Sequence, residues 1–139
     1  MKADFLAAAQ LLKTPSGTNG RVGAIGFCFG GGIVNTIATQ WPDLNAGVPF
    51  YGAPPPLDDV PRIRAPLMLQ FAGNDERIDA MWPAYEAALK AAHVKYQAFI
   101  YPGVEHGFNN DTTPRFDAKA ADLAWQRTLS FFAQNLKAA

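Results

Sequence analysis

The chain has 139 residues, 49% of hydrophobic and 17% of charged type, the composition of one folded globular domain rather than of a disordered tail. Its 12 basic and 12 acidic side chains cancel, which removes the basic excess of a nucleic-acid binder, and no run approaches the ~20 apolar residues of a membrane span. A single cysteine excludes an intrachain disulfide and a zinc cluster built from cysteines, and the start of the chain has no basic-then-apolar leader, so a cytoplasmic location is expected.

Residues 2–13 carry Phe5, Leu6, Ala9, Leu11 and Leu12 among alanines, with no Gly or Pro, and predict an amphipathic helix. Residues 14–20, from Thr14-Pro15 to Asn19-Gly20, form a turn cluster. The spacing then predicts a buried strand over 21–27 and a helix over 30–40, with Ile33, Val34 and Ile37 inward and Pro42 just beyond its end. A second strand covers 46–51, although Pro49 cannot donate to a ladder. The proline-rich stretch 52–64 reads as a rigid connection, followed by a third strand over 66–72 and the turn Gly73-Asn74-Asp75. A helix over 80–92, with Met81, Tyr85, Ala88 and Leu89 inward, leads to a fourth strand over 96–101. A polar loop, 102–113, precedes a long helix over 115–136. Its aromatic residues read as core and Asp117, Lys119, Asp122 and Arg127 as its wet face. Strands alternating with helices imply one α/β domain over 1–139, a mostly parallel sheet of about four strands flanked by helices.

The sharpest chemical signal is Gly26-Phe27-Cys28-Phe29-Gly30, between a predicted strand and a predicted helix. This is the G-x-nucleophile-x-G pattern of a nucleophile elbow, with Cys28 where Ser is usual. The turn is tight, so residues two before and two after the nucleophile approach each other, and Gly26 and Gly30 supply the space. Gly31 and Gly32 allow the helix to lie close to the strand. The Phe29 backbone N–H is placed to meet a developing oxyanion, and the helix N-terminus favours a thiolate. Two other readings compete: a phosphate-cradling turn, which lacks the G-x-G-x-x-G phase and a following Lys, and a structural cysteine beside chance glycines.

Asp75 follows the third strand and His106 the fourth, both at the carboxyl ends of strands, where open α/β sheets place their sites. The chain order Cys28, Asp75, His106 is the nucleophile–acid–base order of α/β-hydrolases. Taken singly, Asp75 reads as a turn-former and His106 as a loop histidine with a structural hydrogen bond. Asp58, Asp59 and Glu76 compete as the acid, but none follows a strand so directly. His93 reads as a surface residue at a helix end. No pair of His or carboxylate residues has metal-ligand spacing.

The segments Gly26 to Gly32, Val48-Pro49-Phe50-Tyr51-Gly52, Gly73-Asn74-Asp75 and His106-Gly107-Phe108-Asn109-Asn110-Asp111 resemble the dienelactone hydrolase family of α/β-hydrolases. The stretch from Thr112 to Asp117 and the segment Ala124-Trp125-Gln126-Arg127-Thr128 are similar to its bacterial members. The resemblance implies a Cys28, Asp75, His106 triad that opens small lactones or activated esters through a thiol-ester acyl-enzyme, as in carboxymethylenebutenolide opening. It implies no cofactor and no metal. It also implies that this chain corresponds to the carboxyl-terminal portion of longer relatives. Their other portion supplies about four strands, a second oxyanion N–H and part of the pocket, and Asn109 and Asn110 stand where some members carry an arginine. An elbow strand left at a sheet edge predicts a two-fold homodimer. The alternative function is a non-catalytic hydrolase domain serving self-association or a protein partner.

Overall fold

Strands and helices alternate along the chain in the computed structural model, which describes residues 1–14 and 16–137. Pro15 of the predicted turn lies outside the described residues. The elements run α1 (Lys2–Leu12), β1 (Gly23–Phe27), α2 (Phe29–Gln40), β2 (Ala46–Phe50), a 3₁₀ helix (Leu57–Arg62), β3 (Leu67–Ala72), α3 (Glu76–Asp79), α4 (Trp82–Ala91), β4 (Tyr96–Tyr101) and α5 (Ala118–Leu136). The strands form one sheet in the order β1-β2-β3-β4, every neighbour parallel. Each strand end therefore points the same way, which is what gathers the predicted site residues at one rim.

The interior strands β2 and β3 are buried along their whole length, as continuous apolar runs covered on both faces should be. On one face Ile33, Ile37, Leu67, Leu69, Phe71 and Leu89 pack between the sheet and helices α2 and α4. On the other, Val48, Phe50, Met68, Phe108, Ala124 and Phe131 pack beneath α5. Alternate residues of β3 serve the two layers, as a period of two requires. Pro49 sits in an interior strand after all. The neighbouring N–H groups of Gly47 and Tyr51 bond to the Pro66 and Gln70 carbonyls of the β3 side at 3.1 and 2.7 Å, so the proline interrupts that ladder at one rung only.

Six expectations are corrected. The connection over 52–64 contains a 3₁₀ helix that buries Val60, and the helix expected over 80–92 is preceded by the separate turn α3. The long helix begins at Ala118 instead of 115, because the Asp117 carboxylate accepts from the Ala120 N–H at 2.8 Å and caps it there. Its core face is Ala121, Ala124, Thr128 and Phe131, while Leu123, Trp125 and Leu129 are exposed, as is Phe116 before the helix. The cause is Gln70, fully buried in β3, whose amide donates to the Ala124 carbonyl at 3.3 Å and to Thr128 Oγ1 at 3.4 Å. Small residues bring the helix close enough to satisfy it. Arg127 is likewise not on the wet face: its guanidinium lies 3.9 Å from the centre of the Phe99 ring and donates to Tyr101 Oη at 3.1 Å. Helix α1 is amphipathic only weakly, with Ala9 buried but Phe5, Leu11 and Leu12 exposed.

Candidate active site

The step from β1 into α2 is a strained turn. Cys28 holds a left-handed φ of 57°, a conformation that costs free energy and persists only where the surroundings impose it. They do: the Cys28 N–H donates to the Phe50 carbonyl at 3.0 Å, and the Gly32 N–H donates to the Cys28 carbonyl at 3.2 Å. A Cβ on Gly26 would lie 2.2 Å from the Gly30 carbonyl oxygen, so Gly26 is sterically required. Gly30 is not, since a Cβ there would meet nothing within 4 Å. The close helix–strand approach belongs to Gly31, whose Cβ would fall 2.6 Å from the Phe50 carbonyl, and to Gly52 opposite it; Gly32 has ordinary room. Phe29 opens α2, so its N–H is among the first-turn donors that no helical carbonyl satisfies.

The acid and base arrive on the ends of β3 and β4. Asp75 is 6% exposed and caps α3, its Oδ1 accepting from the Ile78 N–H at 3.4 Å. Backbone bonds lock the two loops together: Gly73 N–H to the Tyr101 carbonyl at 2.8 Å and Asn74 N–H to the Val104 carbonyl at 2.9 Å. A Cβ on Gly73 would collide with that same Tyr101 carbonyl at 2.8 Å. Between these loops the His106 ring is held from both sides. Its Nδ1 is in direct hydrogen-bond contact with Asp75 Oδ2, and its Nε2 lies 2.9 Å from Cys28 Sγ. The Asp75 carboxylate can only accept, so Nδ1 carries hydrogen and Nε2 is left to exchange a proton with sulfur.

The rival acids are elsewhere: Asp59 pairs with Arg62 at 3.1 Å in the 3₁₀ helix, and Asp58 and Glu76 are exposed. His93 is exposed beyond α4, with a positive φ of 54°. Among the described residues no group of three or more His, Cys, Asp or Glu side chains could hold a metal ion. No helix among them is long and apolar enough to cross a membrane. Tyr51, not singled out from the sequence, follows β2 at a φ of 37° with its ring centre 4.8 Å from that of His106. The signal available for it was position: the carboxyl end of a strand, just before a glycine.

Two cavities meet at Cys28. One, of about 360 Å³, is bounded by Phe29, Ile33, Thr36 and the cationic Lys2 and Arg77. The other, of about 420 Å³, is bounded by Tyr51, His106, Asn109 and Arg115. A sequence model of the dienelactone hydrolase family matches residues 1–136. This chain belongs to that family. A candidate carboxymethylenebutenolidase of Saccharolobus solfataricus is 37% identical over 112 residues, covering 80% of this chain and 43% of that protein. One from Synechocystis is 36% identical over 143 residues, covering 95% and 57%. The chain thus spans about half the length of the curated relatives it matches. The crystal structure of a candidate dienelactone hydrolase from Klebsiella pneumoniae superposes with a TM-score of 0.87 at 30% identity, covering 96% of this chain and 60% of that one. The fold alone is shared with the dienelactone hydrolase of Anabaena variabilis, at a TM-score of 0.79 and 24% identity. The α/β-hydrolase architecture follows.

Proposed function

We propose that this chain hydrolyses small lactones or activated esters, with Cys28 as nucleophile, His106 as base and then acid, and Asp75 as the group that orients the imidazole. The observation that carries this reading is His106, bridged between the Cys28 sulfur and the Asp75 carboxylate. The thiol proton passes to Nε2 as Sγ attacks the acyl carbon, and Asp75 stabilises the imidazolium that forms. The Phe29 N–H donates to the oxyanion. Collapse expels the alcohol or enolate oxygen, which takes the proton from His106. Water activated by His106 then hydrolyses the thiol ester. Lactone opening follows from the same steps, the leaving oxygen remaining tethered to the acyl chain.

The test is p-nitrophenyl acetate hydrolysis by wild type and Cys28→Ala. Wild type turns the ester over and Cys28→Ala does not. The wild-type rate is expected to be low, because the resemblance puts the family's second oxyanion N–H in the portion of the relatives that this chain does not span, and one donor is worth on the order of 10²–10³ in rate. Equal turnover by the two proteins supports the non-catalytic alternative. We also propose a two-fold homodimer, supported by the open side of β1, which among the described residues pairs only with β2 and leaves Ile25 and Phe27 exposed.

A further inference from the structure

Tyr51 is held where a tyrosine rarely sits. Its φ of 37° is left-handed, the residue is only 2% exposed, and the next residue, Gly52, is wedged against Gly31. Strain of this kind in a buried side chain is retained where the surroundings enforce it, and it concentrates at working sites. The Tyr51 N–H donates to the Gln70 carbonyl at 2.7 Å, and the ring meets Phe108 edge-on at 5.5 Å besides lying against His106. What little surface the residue keeps faces the cavity shared with Cys28, His106, Asn109 and Arg115.

The hydroxyl has a defined role to offer there. Burial, above all, pushes the phenol up to about 12; the Asn109 backbone N–H bonded to its oxygen and the Arg115 charge pull the other way, and a charge on Cys28 adds to the rise. The phenol thus stays protonated wherever a thiol and an imidazole operate. One lone pair accepts from the Asn109 N–H, and the protonated phenol keeps one hydrogen to donate. The residue borders the reaction cavity, where that hydrogen can meet a substrate oxygen.

The two cavities divide the chemistry. The Phe29 end of α2 borders one, and His106 and Tyr51 border the other, with Cys28 common to both. A carbonyl oxygen directed at the Phe29 N–H puts the group leaving the acyl carbon on the His106 side. We propose that Tyr51 is a further catalytic residue, its O–H donating a hydrogen bond to the leaving oxygen as the acyl C–O bond breaks. This rests on the ester-cleavage reading above. The electron pair of the breaking bond goes to that oxygen and the proton it gains comes from His106; Tyr51 keeps its own. Such a donor matters most for substrates whose leaving oxygen is strongly basic, an alkoxide or an unactivated enolate. The site is thereby suited to those and not only to nitrophenyl esters.

The experiment compares wild type, Tyr51→Phe and Cys28→Ala on p-nitrophenyl acetate and on trifluoroethyl acetate, whose leaving oxygen is much the more basic. Phenylalanine keeps the ring packing, and the rate of Cys28 alkylation by iodoacetamide reports whether the Cys–His pair is intact. Tyr51→Phe is expected to lose about tenfold or more in kcat/KM on trifluoroethyl acetate, several-fold less than that on p-nitrophenyl acetate, and to alkylate like wild type. An equal loss on both esters, or none on either, overturns the role of Tyr51 while the nucleophile reading stands. A wild type no faster than Cys28→Ala on both esters overturns the nucleophile reading and this inference together.

Discussion

A Cβ at Gly26 would overlap the Gly30 carbonyl, whereas one at Gly30 would meet open space, so two glycines that look equivalent in the motif are not. Gly26→Ala is expected to cost about 3 kcal/mol or more, since backbone cannot yield as a side chain does. Gly30→Ala should be neutral or stabilising by up to ~1 kcal/mol, because alanine is the better helix former. Urea denaturation midpoints of the two variants decide this. Asp79 offers a second test at this scale. Its Oδ1 is buried without a hydrogen-bond partner among the described residues, and burial first, then the charge of Asp75, raises its carboxyl above the usual value. A raised acid binds its proton more tightly folded than unfolded, so its ionisation opposes folding at neutral pH and ceases to matter once both states are protonated. Asp79→Asn should therefore raise the melting temperature at pH 7, and the gain should vanish as pH falls below the ordinary carboxylate range. A gain independent of pH would contradict this. The φ values of Cys28 and Tyr51 are also facts of this scale. That at Cys28 was legible, because a glycine-flanked nucleophile between strand and helix implies a strained turn. That at Tyr51 was not, because no residue type advertises it.

The sheet was legible because interior parallel strands announce themselves as unbroken apolar runs, and Ala46–Phe50 and Leu67–Ala72 are of that kind. Helix α3 was not, since its four residues are too few to show a period. The inward face of α5 departs from its apolar pattern for a physical reason. Large apolar residues mark a core by transfer energy, but here a buried amide in β3 selects a face of small residues and a threonine. The same helix takes its start from Asp117. Asp117→Ala should cost about 1 kcal/mol, read as a lowered denaturation midpoint with unchanged slope. An unchanged midpoint would show that the cap contributes nothing.

At the scale of the whole molecule, three strand ends deliver one site: β1 brings Cys28, β3 brings Asp75 and β4 brings His106. Their convergence could be anticipated from chain order alone, because parallel strands present all their carboxyl ends at one rim. Order says nothing about what covers the open side of β1. There Ile25 and Phe27 are exposed, and Gly23 of the same strand lies against Phe132 and Leu136 of α5, whose Trp125 and Leu129 are 44% and 51% exposed. A strand with one edge open beside bare apolar side chains favours association, and a net charge of zero does not oppose it. Sedimentation equilibrium at micromolar concentration should show twice the chain mass; a single species of 15.0 kDa would defeat the homodimer. The account as a whole turns on Cys28 forming an acyl-enzyme. Acid-quenched mass spectrometry after mixing with p-nitrophenyl acetate should find one acetyl group on the peptide bearing Cys28, forming far more slowly in His106→Ala. No acetyl group on that peptide, or one formed equally fast without His106, would contradict it.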